Sequence, residues 1–333
     1  MRRIISMVLS IALAMSLLSI PSFADNSASH PASIGYTSGE SRELTLEEIE
    51  QMLITYLKDA HPDAISNTAS YIDFLLSQLI EETDKELSQA ECYDDICLYM
   101  SEYVYVYQNL LLETAQNDFF TLPSDLGNLY PSEIREHVAE KDAEFTANYL
   151  DAQSSLAVPY ATFSSSAAVS YARTWATSRN SNYNSYVSDC TNFVSQCFVA
   201  GGIAMKKPST VSTGLVSSTS YWYSIRYEDW HGNNYVYKWN ESSSFVNVSD
   251  LATYLINNVA VTITTTPYLS TVQNSAKPGD IVQLKNSGGE WYHSIIITGG
   301  SSGNRTYCGH STNRLDANLS NVSASSYRII HVN

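Results

Sequence analysis

The stretch that most constrains the fold is a short helix pattern that begins at a cysteine. Its apolar residues recur at the spacing of one helix face and are Phe193, Val194, Cys197 and Phe198. Gly201 and Gly202 follow as a helix stop. Cys190 therefore lies at the N-terminus of this predicted helix, where free backbone N–H groups and the helix dipole favour an anion. The sequence predicts a Cys190 thiol shifted toward thiolate, the nucleophilic form. The alternative is a small buried cysteine at the start of a core helix.

The first residues have the pattern of a secretory signal peptide. A basic start, Met1-Arg2-Arg3, precedes an apolar run from Ile4 to Ile20 and a cleavage-like sequence that ends at Ala24. An uncleaved anchor is the alternative, but the run is shorter than a typical membrane span. We expect residues 1–24 to be a cleaved signal peptide, residues 25–43 to be a disordered lead, and the mature protein to be secreted without stable membrane insertion.

Charge and cysteine content exclude some classes of partner. The formal net charge of −16 and the pI of about 4.7 argue against binding to nucleic acid or to an anionic membrane. Five cysteines leave at least one thiol free in an exported protein. A turn between Cys92 and Cys97 would bring them within bridging distance, so we predict a disulfide there; two unrelated free thiols are the alternative.

Helical periodicity divides the chain into two regions. The pattern of residues 44–151 predicts four amphipathic helices, which can form a small all-α bundle. The first helix begins with a capping box at Thr45. The sequence of this bundle shows no recognisable set of acid, base or metal-ligating residues, so its role is unknown. Residues 152–166 are small and polar and predict a linker that makes the bundle a separable unit. Residues 167–333 form the second domain, where a cysteine helix and several strands predict an α+β fold.

An aromatic-rich stretch follows the cysteine helix. It contains Trp222, Trp230 and Trp239, and Trp291 lies further along the chain. Such side chains can line a groove that stacks on sugars or holds a peptide. The alternative is an inserted loop that makes a small core of its own.

A histidine in a predicted strand is the candidate partner of the cysteine. In the strand 290–298, alternation places Trp291, His293, Ile295 and Ile297 on one face, which we expect to pack against the Cys190 helix. His293 would then lie level with Cys190 and form a catalytic dyad. A lone histidine on an apolar strand can also be a satisfied core residue.

The next strand supplies a candidate third residue. If Thr298 pairs with Arg305, the register places His310 directly opposite His293, where it could fix the tautomer and orientation of the His293 ring. Asn313 is the alternative for this role. We expect Asp189, beside the nucleophile, to cap the helix.

These motifs resemble a known family. Asp189–Cys197, Ala200–Ile203, Gly279–Ile281, Trp291–Ser294 and His310–Thr312 look like the putative amidase domain of secreted Gram-positive bacterial proteins, which is similar to NlpC/P60 and CHAP cysteine peptidases. The resemblance covers residues 167–333 and not the helical region. The gap between Cys190 and His293 is wider than in compact NlpC/P60 domains, because the aromatic insertion fills it.

The resemblance implies a papain-like α+β fold and a hydrolase of amide bonds, with cell-wall peptides as the substrate. Cys190 would attack the carbonyl carbon, His293 would transfer the proton, and His310 would orient His293. The alternatives are a non-catalytic wall-binding module and a transferase or deamidase on protein glutamine. No cofactor is expected. Zinc could bind Cys190, His293 and His310, but no close ligand pair supports a metal site.

Overall fold

The structure of this chain is a computed structural model that describes Ile34 and residues 42–66, 68–113, 122–155, 163–232 and 234–333. The predicted signal peptide and nearly all of the predicted lead lie outside these residues. No helix in the described part of the chain is long and apolar enough to cross a membrane.

The helical region begins as the sequence predicts. Glu48 N–H donates to Thr45 Oγ1 over 3.3 Å and Thr45 N–H to Glu48 Oε2 over 3.0 Å, which confirms the capping box. A single-turn helix that the sequence did not indicate brings the described helices here to five. They are α1 (Leu46–Ala60), α2 (Ala69–Glu81), α3 (Tyr93–Glu113), α4 (Ser124–Gly127) and α5 (Pro131–Ser155).

The predicted disulfide between Cys92 and Cys97 is wrong. Both cysteines are buried and free. Helix α3 begins directly after Cys92, so the segment between the two cysteines is helical instead of forming the predicted turn. The two side chains therefore point in different directions. Both thiols instead contribute to the apolar core of the helical region.

The second region combines five more helices with two sheets. The helices are α6 (Ser165–Trp175), α7 (Cys190–Ala200), α8 (Ser243–Val246), α9 (Val248–Asn258) and α10 (Leu269–Ser275). The strands are β1 (Leu215–Val216), β2 (Ser224–His231), β3 (Asn234–Ser242), β4 (Val261–Thr266), β5 (Ile281–Lys285), β6 (Trp291–Ser301), β7 (Asn304–Gly309), β8 (Arg314–Asn318) and β9 (Ser326–Val332). The chain is therefore of the predicted α+β class.

A six-stranded antiparallel sheet forms the centre of the molecule, with strand order β4-β9-β5-β6-β7-β8. Strands β1, β3 and β2 form a separate three-stranded sheet from the aromatic stretch. In the central sheet, β6 is buried on both faces. Ile296 packs with Phe193 of α7, whereas Ile295 and Ile297 pack in the core that contains α1, α2 and α3.

The helical region and the central sheet share one hydrophobic core. Leu53, Leu76 and Tyr99 of the helices belong to the same buried cluster as Leu284 and Ile295 of the sheet. This differs from the separable bundle that the sequence predicted, because the second face of the sheet is covered by these helices. The predicted linker overlaps the end of α5 and the start of α6, and residues 156–162 between them lie outside the described residues. The division of the chain into domains stays a prediction.

The predicted register of β6 and β7 is wrong by one residue. Ile296 pairs with Cys308 and Ile297 with Tyr307, and a bulge at Thr298 interrupts the ladder. Both strands continue beyond the predicted pair Thr298 and Arg305, as far as the pair Ser301 and Asn304, so Arg305 pairs with Gly300. This is a difference of two residues, and the bulge reduces it to one. A one-residue shift moves side chains to the opposite face of a strand.

Candidate functional site

Cys190 is the first residue of α7, as the sequence predicts, and it is only 1% exposed. Its sulfur lies 3.7 Å from Thr191 Oγ1. Thr191 Oγ1 lies 3.1 Å from Ser294 Oγ on β6, so two hydroxyls join the start of the helix to the strand. The backbone N–H of Ser294 also faces the Cys190 sulfur. The helix N-terminus thus presents the thiol to β6.

Cys190 is not shifted toward thiolate. Burial raises the pKa of its thiol, and the opposing hydrogen bonds from the Ser294 backbone and the Thr191 hydroxyl do not compensate. The nearby Asp189 carboxylate raises this pKa further. The sequence argument considered the helix dipole alone and did not include the loss of solvent at this position.

His293 lies on the face of β6 opposite to the one that was predicted. It pairs with Leu284, which belongs to the core shared with the N-terminal helices, whereas Ser294 next to it contacts α7. Both faces of β6 are apolar, so alternation could not show which face packs on α7. His293 is 1% exposed, and its Nδ1 has no hydrogen-bond partner.

Burial also decides the protonation of His293. Loss of solvent, with a smaller contribution from the positive charge of Arg314, lowers the pKa of His293 from 6.5 to about 3. The ring is therefore neutral near pH 7 and can accept a proton.

Cys190 and His293 are not hydrogen-bonded to each other among the described residues. Ser294 connects them, because its backbone N–H faces the sulfur and its chain neighbour is His293. The structure thus brings the two residues to the same point of β6 without the direct dyad contact that the sequence predicts.

His310 does not orient His293. Its Nδ1 lies 2.6 Å from Asp189 Oδ2 and its Nε2 lies 2.7 Å from the Trp175 carbonyl oxygen. Both ring nitrogens are engaged by these partners, so neither is left to orient His293. Its ring also stacks on Phe193, with centroids 3.9 Å apart. His310 therefore fastens the ends of α6 and β7 to the start of α7. This corrects the predicted role, which depended on the shifted register.

Asp189 occupies the N-cap position, but its side chain makes no capping bond, which corrects a second prediction. Its fully buried carboxylate instead binds His310, Arg179 Nε at 3.0 Å and Asn192 Nδ2 at 2.7 Å. Asn313 is on the edge of this network, where its Oδ1 accepts from Arg179 Nη1 over 3.0 Å. The position of Asn313 gives it no contact with His293.

Ser311 completes the same network from the other side. Its Oγ accepts from the backbone N–H of Asp189 over 3.0 Å, and its φ of 78° lies in the left-handed region. Such a backbone is costly for a residue with a side chain and persists only where the surroundings hold it. The fold therefore fixes the turn after β7 against the residue that precedes the nucleophile.

Sequence reasoning assigned no individual role to Arg179, Thr191, Ser294 and Ser311. Thr191, Ser294 and Ser311 lie inside the motifs that carry the family resemblance, and this was the signal that the sequence offered for them. Arg179 lies outside these motifs, and no sequence spacing reveals its contacts.

The tryptophans do not line one groove. Trp222 is fully buried, and its Nε1 donates to Ser195 Oγ over 3.1 Å, so it belongs to the core and the predicted groove role is wrong. Trp239 Nε1 donates to the Asn182 carbonyl over 3.1 Å in the loop before Cys190. Trp230 is 59% exposed at the tip of the hairpin of β2 and β3. Trp291 lines a different cavity, described below.

Within the described residues, no group of three or more histidine, cysteine, aspartate or glutamate side chains is arranged to hold a metal ion. A family model described as "Putative amidase domain" matches residues 162–332, just over half of the 333-residue chain. Comparisons with curated proteins and with solved structures found no match.

Proposed function

The chain belongs to the "Putative amidase domain" family, and from this membership we propose that it is a secreted, cysteine-dependent hydrolase of amide bonds in cell-wall peptides. The family indicates an amide hydrolase. The observation that carries the cysteine dependence is Cys190 at the first position of α7, inside the matched residues and against β6. The predicted signal peptide supports an extracellular substrate.

The residues around Cys190 can divide the chemistry between them. Cys190 attacks the carbonyl carbon. The neutral His293 ring lies on the other face of β6 in this closed structure, so its proposed role in taking the thiol proton and giving it to the leaving amine requires β6 to shift as the covering segments open. The free backbone N–H groups at the start of α7 face the oxyanion that forms. Water then releases the acyl group as a carboxylic acid. A cysteine helix packed on an antiparallel sheet is the arrangement of papain-like enzymes, which supports this assignment of roles.

Asp189, Arg179 and His310 have a positioning role in this proposal. They fix the start of α7 relative to α6 and β7 through buried, charge-assisted hydrogen bonds. The loop before Cys190 is fixed from the other side, where Arg226 Nη1 donates to the Ser181 carbonyl over 2.9 Å and Trp239 binds Asn182. The aromatic insertion thus supports the nucleophile loop.

One observation favours a second candidate function, the non-catalytic wall-binding module. Cys190 and His293 are each 1% exposed, so a substrate reaches them only after the covering segments open. A module that binds the wall without cleaving it would need no such opening.

The test is mass spectrometry of muropeptides after incubation with the full chain. We expect new peptide fragments from the wild-type protein and at least about a thousandfold slower release from Cys190→Ala. Cys197→Ala, two turns along the same helix, is the matched control and should cleave at the wild-type rate. Equal products from Cys190→Ala would exclude the cysteine mechanism, and wall binding without products from the wild-type protein would favour the binding module.

A further inference from the structure

A second cavity lies away from Cys190, where α3, α5 and the start of α9 meet the first residues of β6. Its volume is about 380 Å³, within the range of small-ligand sites. Cys190 and His293 are not among the described residues that line it. The side chains that matter for binding are Glu102, Asp142, Phe145, Glu290, Trp291 and Arg328.

Arg328 forms the buried floor of this cavity and is 3% exposed. Its guanidinium is held between two rings, with Cζ 4.0 Å from the centroids of both Phe145 and Trp291. Nη1 donates to Gln283 Oε1 over 3.0 Å. Nε has no hydrogen-bond partner. A buried guanidinium with an unused donor is rare, because the unmade bond costs free energy.

The acid nearest to Arg328 does not satisfy it. Asp142 Oδ1 lies 3.7 Å from Arg328 Nη2, beyond hydrogen-bond distance. The Asp142 carboxylate is instead bonded to Lys285 Nζ and to Trp291 Nε1, the latter over 2.9 Å. Arg328 Nε is therefore buried without a hydrogen-bond partner, and Nη2 has only the longer contact with Asp142. This pair of parallel donors matches the two oxygens of a carboxylate.

Two carboxyl groups in the same cavity, those of Glu102 and Glu290, favour a positively charged group. Glu290 and Glu102 both line the cavity and interact with each other. Burial and the neighbouring Glu102 raise the pKa of Glu290 well above its usual value, while Lys141 and Lys285 act weakly in the other direction. A bound ammonium group would offset the repulsion between these two carboxyl groups. The charged side chains lining the cavity are mostly acidic, since only Lys141 and Arg328 carry positive charge there.

We propose that this cavity binds a small zwitterion, a free amino acid or short peptide whose carboxylate pairs with Nε and Nη2 of Arg328 and whose ammonium group pairs with Glu102 and Glu290. The site is independent of the roles assigned to Cys190 and His293. Because its walls come from the helical region and from the sheet, an occupied cavity also stabilises the contact between them.

The experiment is titration calorimetry with L-alanyl-L-alanine, using the full chain carrying Cys190→Ala so that no amide bond is cleaved. We expect saturable binding, and about tenfold or greater loss of affinity for both the N-acetylated and the C-terminally amidated dipeptide. Absent binding at millimolar dipeptide, or equal binding of the blocked forms, would overturn the proposal.

Two variants locate the binding to this cavity. Glu102→Gln should weaken binding of the dipeptide about tenfold, and Arg328→Lys, which keeps the charge but not the paired donors, should weaken it similarly. Glu144→Gln, which replaces an exposed acid that lines the same cavity, is the control and should bind the dipeptide as the parent does. Circular dichroism reports whether each variant is folded. Since Glu102 is only half-buried, its substitution leaves a folded test even where Arg328→Lys unfolds. Unchanged affinity in Glu102→Gln would contradict the assignment.

Discussion

A buried histidine lies on each face of the central sheet, and the two differ in their hydrogen bonding. On the face toward α7, His310 has a partner for each ring nitrogen and a ring stacked on Phe193. On the face toward the N-terminal helices, His293 lies beside Leu284 with an unpartnered Nδ1 and a pKa lowered to about 3. An extensively hydrogen-bonded network holds geometry, whereas a group without a partner retains the capacity to bind a proton.

The difference follows from what each face packs against. The start of α7 brings a carboxylate, an arginine and several hydroxyls, so polar side chains there find partners. The helices on the other face bring mainly leucine, isoleucine and tyrosine. Desolvation without compensating bonds then dominates the protonation of His293. The proposed positioning and acid–base roles are thus separated by one layer of strands.

Removing the helices tests the comparison most severely. A chain that begins at Phe163 would expose the sheet face that carries Val282, Leu284, Ile295 and Ile297. Each such side chain contributes about 1.5–3 kcal/mol when buried, and whole domains are stable by only about 5–15 kcal/mol. We expect the truncated chain to aggregate or remain unfolded by circular dichroism. A soluble, cooperatively folding fragment would show that the two faces are independent.

Breaking the hydrogen-bond network around Asp189 should lower the free energy of unfolding and leave proton transfer unchanged. His310→Gln removes one partner of the buried Asp189 carboxylate, and losses for such buried pairs are about 3–5 kcal/mol in the free energy of unfolding, measured with urea. The control is His331→Gln, whose partner Asp280 is 2.5 Å away but whose own side chain is 37% exposed, and it should lose less. Equal losses would mean that burial of the pair does not matter. The pH dependence of the remaining His310→Gln activity should match that of the wild type.

The elements of the fold were largely accessible from the sequence. The capping box at Thr45, the helix that starts at Cys190 and the strands that carry Ile281 and His293 are local patterns, and the structure places them as predicted. The shared core was not accessible, because no local pattern shows that the second face of a sheet is covered by helices far away in the chain.

The sequence identified the residues of the candidate site but did not predict which of them contact each other. The nearness of Cys190 to β6 follows from the helix pattern, but the side on which His293 lies depends on a two-sided apolar strand, where alternation gives no answer. Arg305 pairs with Gly300 instead of Thr298, a difference of two residues, and the bulge at Thr298 recovers only one of them, so His310 does not lie opposite His293. The Asp189 side chain was assigned to the helix because N-cap bonding is local, whereas its partners come from β7 and from residue 179.

The pH dependence of stability sharpens the contrast between the two faces. The unfolded chain protonates His293 near pH 6.5, and the folded chain does so only near pH 3. Between these values the unfolded state binds the extra proton, so the free energy of unfolding falls as pH falls, by up to about 1.4 kcal/mol per pH unit from this group. Urea unfolding at pH 7, 5.5 and 4.5 measures the slope. His293→Phe should reduce this slope. An unchanged slope would indicate that His293 has the same pKa in the folded and unfolded chains.

The smallest effect is expected at the exposed edge of the network. Asn313 contacts Arg179 from the side away from Asp189, and Arg179 keeps its buried bond to the Asp189 carboxylate when Asn313 is replaced. An exposed hydrogen bond of this kind is readily exchanged for water, so Asn313→Ala should change the free energy of unfolding by no more than about 0.5 kcal/mol and leave hydrolysis unchanged. Urea unfolding and muropeptide release rates measure both quantities. A large loss of activity with normal stability would instead restore Asn313 as the third catalytic residue, and it would mean that the face of the sheet toward α7 takes part in proton transfer as well as in positioning.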